Sequence, residues 1–223
     1  MNDTQTQAPV PSNQPKALRV LAMTISILCH PVFLPTVMSI VLYKLNPVSF
    51  QGFEHKQLMW GILSIGMTTL FFPVFAIALM KPLGFISSFH MPTTKDRIIP
   101  LMVTMIFYFW INHVAGNIPG TQVPLIIRVL LLGNFWGLIA VFMVNIFTKI
   151  SMHTSAAGAM VGVIIVNMLT GNVNLLLPLF ASIVLAGVIG TARMVLGAHQ
   201  RGDIWLGYII GILVQLSAYL YLK

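Results

Sequence analysis

Arg193, His199 and Asp203 stand at the spacing R-x(5)-H-x(3)-D, within the run Ala192-Arg-Met-Val-Leu-Gly-Ala-His-Gln-Arg-Gly-Asp203. A guanidinium fork grips phosphate or carboxylate oxygens through parallel N–H donors. A carboxylate beside a histidine accepts one ring proton, fixes the tautomer and raises the basicity of the other nitrogen. So oriented, the imidazole is a competent nucleophile. If the stretch from His199 is helical, His199 and Asp203 are at i and i+4 and meet on one face. If a helix begins only at Asp203, a turn must bring them together. Gly197 and Gly202 give the backbone freedom to swing Arg193 round. The plain reading is a snorkelling arginine and a His–Asp pair; the functional reading is a site for an anion.

Two further clusters carry polar groups. Lys95-Asp96-Arg97-Ile-Ile-Pro100 opens an apolar run. Pro100 suits a first helical turn, and Lys95 and Arg97 lie where a helix N-terminus already favours anions. By itself this cluster reads as a basic interfacial anchor. Ser151-Met-His153-Thr154-Ser155 precedes a small-residue stretch, 156–159. Ser151, Thr154 or Ser155 can cap a helix there, and His153 alone reads as an interfacial polar residue. Taken together, the clusters meet the needs of phosphoryl transfer. Arg and Lys neutralise phosphate oxygens, one His attacks phosphorus, and a second protonates the leaving oxygen. That scheme needs no cofactor and no metal, and the chain holds only four acidic residues with which to bind magnesium.

The elements that must position these residues are set by composition. Mean hydropathy is +0.91, 57% of residues are hydrophobic and 7% are charged. These values exclude a soluble domain, and several runs exceed the roughly 18 to 20 apolar residues needed to cross a bilayer. Seven candidate spans are read at 19–43, 58–80, 98–115, 123–148, 154–171, 174–192 and 203–222. Lipid leaves open backbone groups unsatisfied and nothing alternates like a barrel, so the fold expected is all-α, a polytopic bundle of six to seven spans. Residues 1–15 are polar and Pro-rich and read as a disordered leader to a single helical domain over 16–223. They lack the basic start of a signal peptide, so the first apolar run reads as a retained span. The net charge of +8 points to anionic lipid head groups rather than nucleic acid. The lone Cys29 excludes an internal disulfide.

With seven spans, the loops after the second, fourth and sixth share a face with the N-terminus. That face then holds Lys95, Asp96, Arg97, Lys149, His153, Arg193, His199, Arg201 and Asp203. Eight basic residues fall there, Lys16, Arg19 and Lys81 among them, which would make the face cytoplasmic by the positive-inside rule. Other features read as structural. His30, with Pro31 and Pro35, marks a kinked helix. Arg128 snorkels to the far interface. Asn134, Asn145 and Asn167 make interhelical hydrogen bonds, and Gly207-x-x-x-Gly211 forms a helix-contact face.

The three clusters, in this order, resemble the type 2 phosphatidic acid phosphatase superfamily, whose patterns are K-x(6)-R-P, P-S-G-H and S-R-x(5)-H-x(3)-D. The third matches at Arg193, His199 and Asp203, with Ala192 for Ser. The second survives as Ser151 and His153, with Ile150 for Pro and Met152 for Gly. In the first, Arg97 is followed by Ile-Ile-Pro100, the Lys position falls on His90, and Lys95 stands in for it. Two spans separate the first two motifs, where many members place both on one loop. Cys29-His30-Pro31-Val-Phe-Leu-Pro35 is similar to a bacterial membrane branch associated with Bacteroidetes.

The resemblance implies a metal-independent lipid phosphatase in a bacterial inner membrane, acting on a lipid phosphate or pyrophosphate taken from the bilayer. It implies His199 as nucleophile, Asp203 as its partner and His153 as general acid. Arg193, Arg97, Lys95 and Ser151 would bind phosphate. The alternatives are a phosphate-lipid binding or transport protein that has lost turnover, and a lipid phosphotransferase. The sequence sets neither the lipid nor the oligomeric state.

Overall fold

The computed structural model describes residues 14–86, 88, 94–117, 123–171 and 173–223, without the side chains of Thr94, Lys95 and Asn117. The expected disorder over 1–15 falls, for 1–13, outside the described residues, as does His90. Among the described residues every long element is helical. In order they are α1 (Lys16–Leu28), α2 (Leu34–Leu45), α3 (His55–Gly66), α4 (Phe72–Met80), α5 (Thr94–Asn117), α6 (Leu125–Phe147), α7 (Met152–Thr170), α8 (Leu176–Val195) and α9 (Arg201–Leu222). A 3-10 turn at Pro31–Phe33 joins α1 to α2, and a π turn at Met67–Phe71 joins α3 to α4. Among the described residues, seven stretches are long and apolar enough to cross a membrane, so the chain is an all-α transmembrane bundle. Large apolar side chains such as Leu177, Phe147, Trp205 and Leu220 face outward, where lipid lies.

The first of these stretches departs from the expected single kinked helix over 19–43. Pro31 cannot donate an N–H and forces His30 into extended backbone (φ −65°, ψ 136°), so α1 stops and α2 starts afresh. Ser26, near the end of α1, meets Arg193 near the end of α8. Leu18, near the start of α1, shares a groove with Val184, lower on α8. The two helices therefore run side by side in the same direction. α2 runs the other way, from His30 beside His153 to Asn46, which bonds Asn167 at 2.9 Å at the far end of α7. The chain reverses at His30–Pro31. Lys16 and Arg19 thus lie away from the end where α1 and α8 finish, and they drop out of the expected basic face.

α7 forms the centre and packs on α2, α6, α8 and α9. Its seam with α9 is the most extensive in the molecule, because both helices present small residues. A Cβ on Gly158 would meet the backbone of Tyr208, and one on Gly211 would meet the backbone of Ser155 and Ala159. The expected contact face at Gly207 and Gly211 is thus real, and Gly158 and Gly162 supply its other half. Two amide pairs tie helices across the apolar interior, Asn46–Asn167 and Gln215–Asn134 (3.3 Å). Pro100 lies in the second turn of α5 rather than the first.

Candidate functional site

Three helix termini build the site. α8 is closed off just past its end by Gly197, whose φ of 64° is left-handed and inexpensive only for glycine. The N–H of Gly197 bonds Met194 O (2.9 Å) and that of Ala198 bonds Arg193 O (3.1 Å), a Schellman closure. Arg193 therefore sits in the last turn of α8, where helix carbonyls favour a cation. Gly202, also expected to free this segment, is an ordinary helical residue of α9.

His199 lies between α8 and α9, two residues before α9 begins at Arg201. The turn, not a continuous helix, brings it to Asp203. His199 Nδ1 is 3.5 Å from Asp203 Oδ2, and the His199 side chain is only 5% exposed. That oxygen also accepts the backbone N–H of Gln200 at 3.0 Å, which caps α9. His199 Nδ1 has no hydrogen-bond partner among the described residues. The carboxylate is thus held in place by the helix start, within reach of the imidazole but not yet bonded to it.

The third terminus is the start of α7. Ser151 takes a β-region backbone, and its hydroxyl accepts the Thr154 N–H at 3.4 Å. Its own N–H bonds Asp203 O at 3.4 Å, which pins the start of α7 to the start of α9. His153 follows in the first turn, and its Nε2 lies 3.0 Å from Ser26 O. Ser151 is fully buried, and its hydroxyl caps the start of α7.

His153, Arg193, His199 and Asp203 thus gather at one end of the bundle, and Arg97 joins them. The positive charge of Arg193 acts on both His153 and His199, while Arg97 acts on Arg193 and His199. Lys95 was expected to bind phosphate; its side chain lies outside the described residues. Three residues join the site that the motifs did not assign to it. Lys149 stands within electrostatic reach of His199. His30 packs edge-on against His153, ring centroids 5.3 Å apart. Ser26 bonds both His153 and Arg193. His30 carried a sequence signal in its two prolines. Ser26, a serine inside an apolar run, carried none.

Burial first, then the charges of Arg193, Lys149 and Arg97, push the His199 imidazole down to about 3. The ring is therefore neutral at physiological pH, with a lone pair available. The Arg193 Nε is buried without a hydrogen-bond partner among the described residues. A buried charged donor left unsatisfied is expensive, and an oxyanion satisfies it. A cavity of about 730 Å³ opens elsewhere, at the opposite end between α2, α3, α5 and α6, lined by Tyr43, Trp60, Ile111 and Leu131. It includes none of these residues.

No protein-family model matches the chain, and comparison with curated proteins and with solved structures gives no match.

Proposed function

We propose that the chain is a metal-independent membrane lipid phosphatase, acting on a lipid phosphate or pyrophosphate through a phosphohistidine. One observation carries the reading. A buried neutral imidazole, His199, stands among Arg193, Arg97 and Lys149, with the Arg193 Nε lacking a partner. Three cations gathered around one neutral ring suit a substrate bringing several negative charges. Phosphate at the bilayer surface has that charge.

In this scheme Arg193 and Arg97 hold the equatorial oxygens, and His199 Nε2 attacks phosphorus. Asp203 tightens onto His199 Nδ1 as positive charge develops on the ring. His153 protonates the leaving oxygen, and water then hydrolyses the N–P bond. The hydrocarbon part stays in the bilayer beside the helix ends.

The open His199–Asp203 contact supports a second reading, a phosphate-lipid binder without turnover, because the nucleophile is not yet hydrogen-bonded to its partner. Purified protein is given a panel of lipid phosphates and pyrophosphates in EDTA, and phosphate release is measured. Turnover that is lost in His199→Ala, together with an acid-labile phosphoenzyme, is expected. Binding of the same lipids with no release sinks the phosphatase reading and leaves the binder. Phosphate appearing on an added alcohol identifies a transferase.

A further inference from the structure

The end of α1 leaves a carbonyl without a helical partner. The N–H of Cys29 bonds Ile25 O (2.9 Å), and the N–H of His30 reaches Ile27 O (3.3 Å). Ser26 O is passed over between them, one of the orphan acceptors found at every helix C-terminus. His153 Nε2 takes it up across the bundle, at 3.0 Å. A carbonyl oxygen only accepts, so the proton of that bond belongs to Nε2. In the neutral ring, Nδ1 is then bare.

The hydroxyl of the same residue is also unusual. Thr24, Ser39, Ser64, Thr69, Thr104 and Thr191 each give their hydroxyl proton to the carbonyl four residues earlier. Ser26 instead accepts an N–H from Arg193, Nη1 to Oγ 3.4 Å. Ser26 is 4% exposed, so both bonds are sheltered from water. One serine on α1 is therefore tied to a site residue on α7 and to another on α8.

We propose that Ser26 is a positioning residue of the site. Its carbonyl fixes His153 as the Nε2–H tautomer, which makes Nδ1 the working nitrogen, and its hydroxyl aims the Arg193 guanidinium. The proton-transfer part rests on the phosphatase reading; the positioning part does not. In the first step the His199 Nε2–P bond forms and the P–O bond to the leaving group breaks. The bare His153 Nδ1 first takes up the proton that a monoanionic phosphate ester brings; that Nδ1–H bond then breaks as the P–O bond does, and the proton joins the leaving oxygen. In the second step water oxygen bonds phosphorus, the N–P bond breaks, and a water proton returns to Nδ1. The Nε2–H stays on Ser26 O throughout.

The test uses the full chain in lipid nanodiscs, with ¹⁵N-labelled histidine and arginine, as parent, Ser26→Ala and Ser26→Thr. The probe is orthovanadate, which resembles phosphate in transit. His153 is expected as Nε2–H in the parent and in Ser26→Ala, since the carbonyl survives. Ser26→Ala is expected to shift the Arg193 guanidinium resonances and weaken vanadate binding about tenfold, the loss of one hydrogen bond to a charged group. It should lower kcat about tenfold with KM changed less, and Ser26→Thr should restore both, because it keeps the hydroxyl. A neutral His153 ring that carries its single proton on Nδ1, with Nε2 bare, overturns the proposal, as do Arg193 resonances in Ser26→Ala superposable on the parent's. A parent that releases no phosphate, yet shows the Nε2–H tautomer and the Arg193 shift, keeps the positioning role and discards the phosphatase.

Discussion

His153 and Asp203 are held by backbone, whereas Arg193 is held by a side chain. On the first side, the starts of α7 and α9 are joined through Ser151 N–H and Asp203 O, and the helices behind them touch through glycines. On the second, among the described hydrogen bonds α1 reaches the site through Ser26, whose hydroxyl takes Arg193 and whose carbonyl also meets His153, and α1 packs chiefly on α8. Backbone contact through small residues leaves no room to relax. A hydrogen-bonded arm tolerates exchange of its outer residues and depends on a few atoms. His153 and Asp203 are thus fixed by packing and Arg193 by polarity.

The largest effect should come from breaking the packed side. Gly211→Val places a side chain on the backbone of Ser155 and Ala159. We expect a loss of about 3 kcal/mol or more, and no folded protein at 37 °C, as overpacking of a closed seam implies. Thermal unfolding in detergent reads it directly, and a folded variant with the parent's melting temperature would show that the seam is loose.

Next in size is the guanidinium. Arg193→Lys keeps charge but loses the planar fork. We expect kcat to fall about 10²–10³-fold with a smaller change in KM, the cost of one donor aimed at transition-state charge. A kcat within about twofold of the parent would make Arg193 an interfacial anchor only. His153→Ala, on the packed side, should slow release of an alcohol leaving group more than of p-nitrophenol, which needs less protonation. Equal losses on the two substrates would remove His153 as the acid.

A subtler effect concerns pH. His199 is depressed from its ordinary 6.5 to about 3 in the folded chain. Between those values the unfolded chain binds the proton and the folded chain does not, so stability is present above pH 6.5 and lost as pH falls toward 3. The melting temperature should fall across that window, and His199→Gln should flatten part of the fall. An unchanged slope would mean that His199 is not buried among cations. The smallest effect belongs to Gly202, where a Cβ would meet nothing within 4 Å. Gly202→Ala should raise stability by about 0.5–1 kcal/mol, since alanine is the better helix former. A loss would show that the segment needs the freedom first read into it.

Hydrophobic length alone determined the helical, membrane-spanning class and most of the spans, because lipid permits few other ways to satisfy the backbone. Spacing alone singled out Arg193, His199 and Asp203, and the small residues around 158 and 207–211 announced the tightest seam. The tertiary structure decided the rest. Apolarity has no sign along a helix, so the run from Lys16 to Leu45 reads as one crossing although Pro31 turns it back. Only that reversal brings Ser26 to His153 and Arg193, across 127 and 167 residues of chain. A helix terminus exposes orphan carbonyls that no local pattern assigns to a partner, and the partner is chosen by whichever side chain packing delivers. The depression of His199 has the same origin, since it sums burial with charges from α5, α8 and the α6–α7 loop, which meet only in the folded chain.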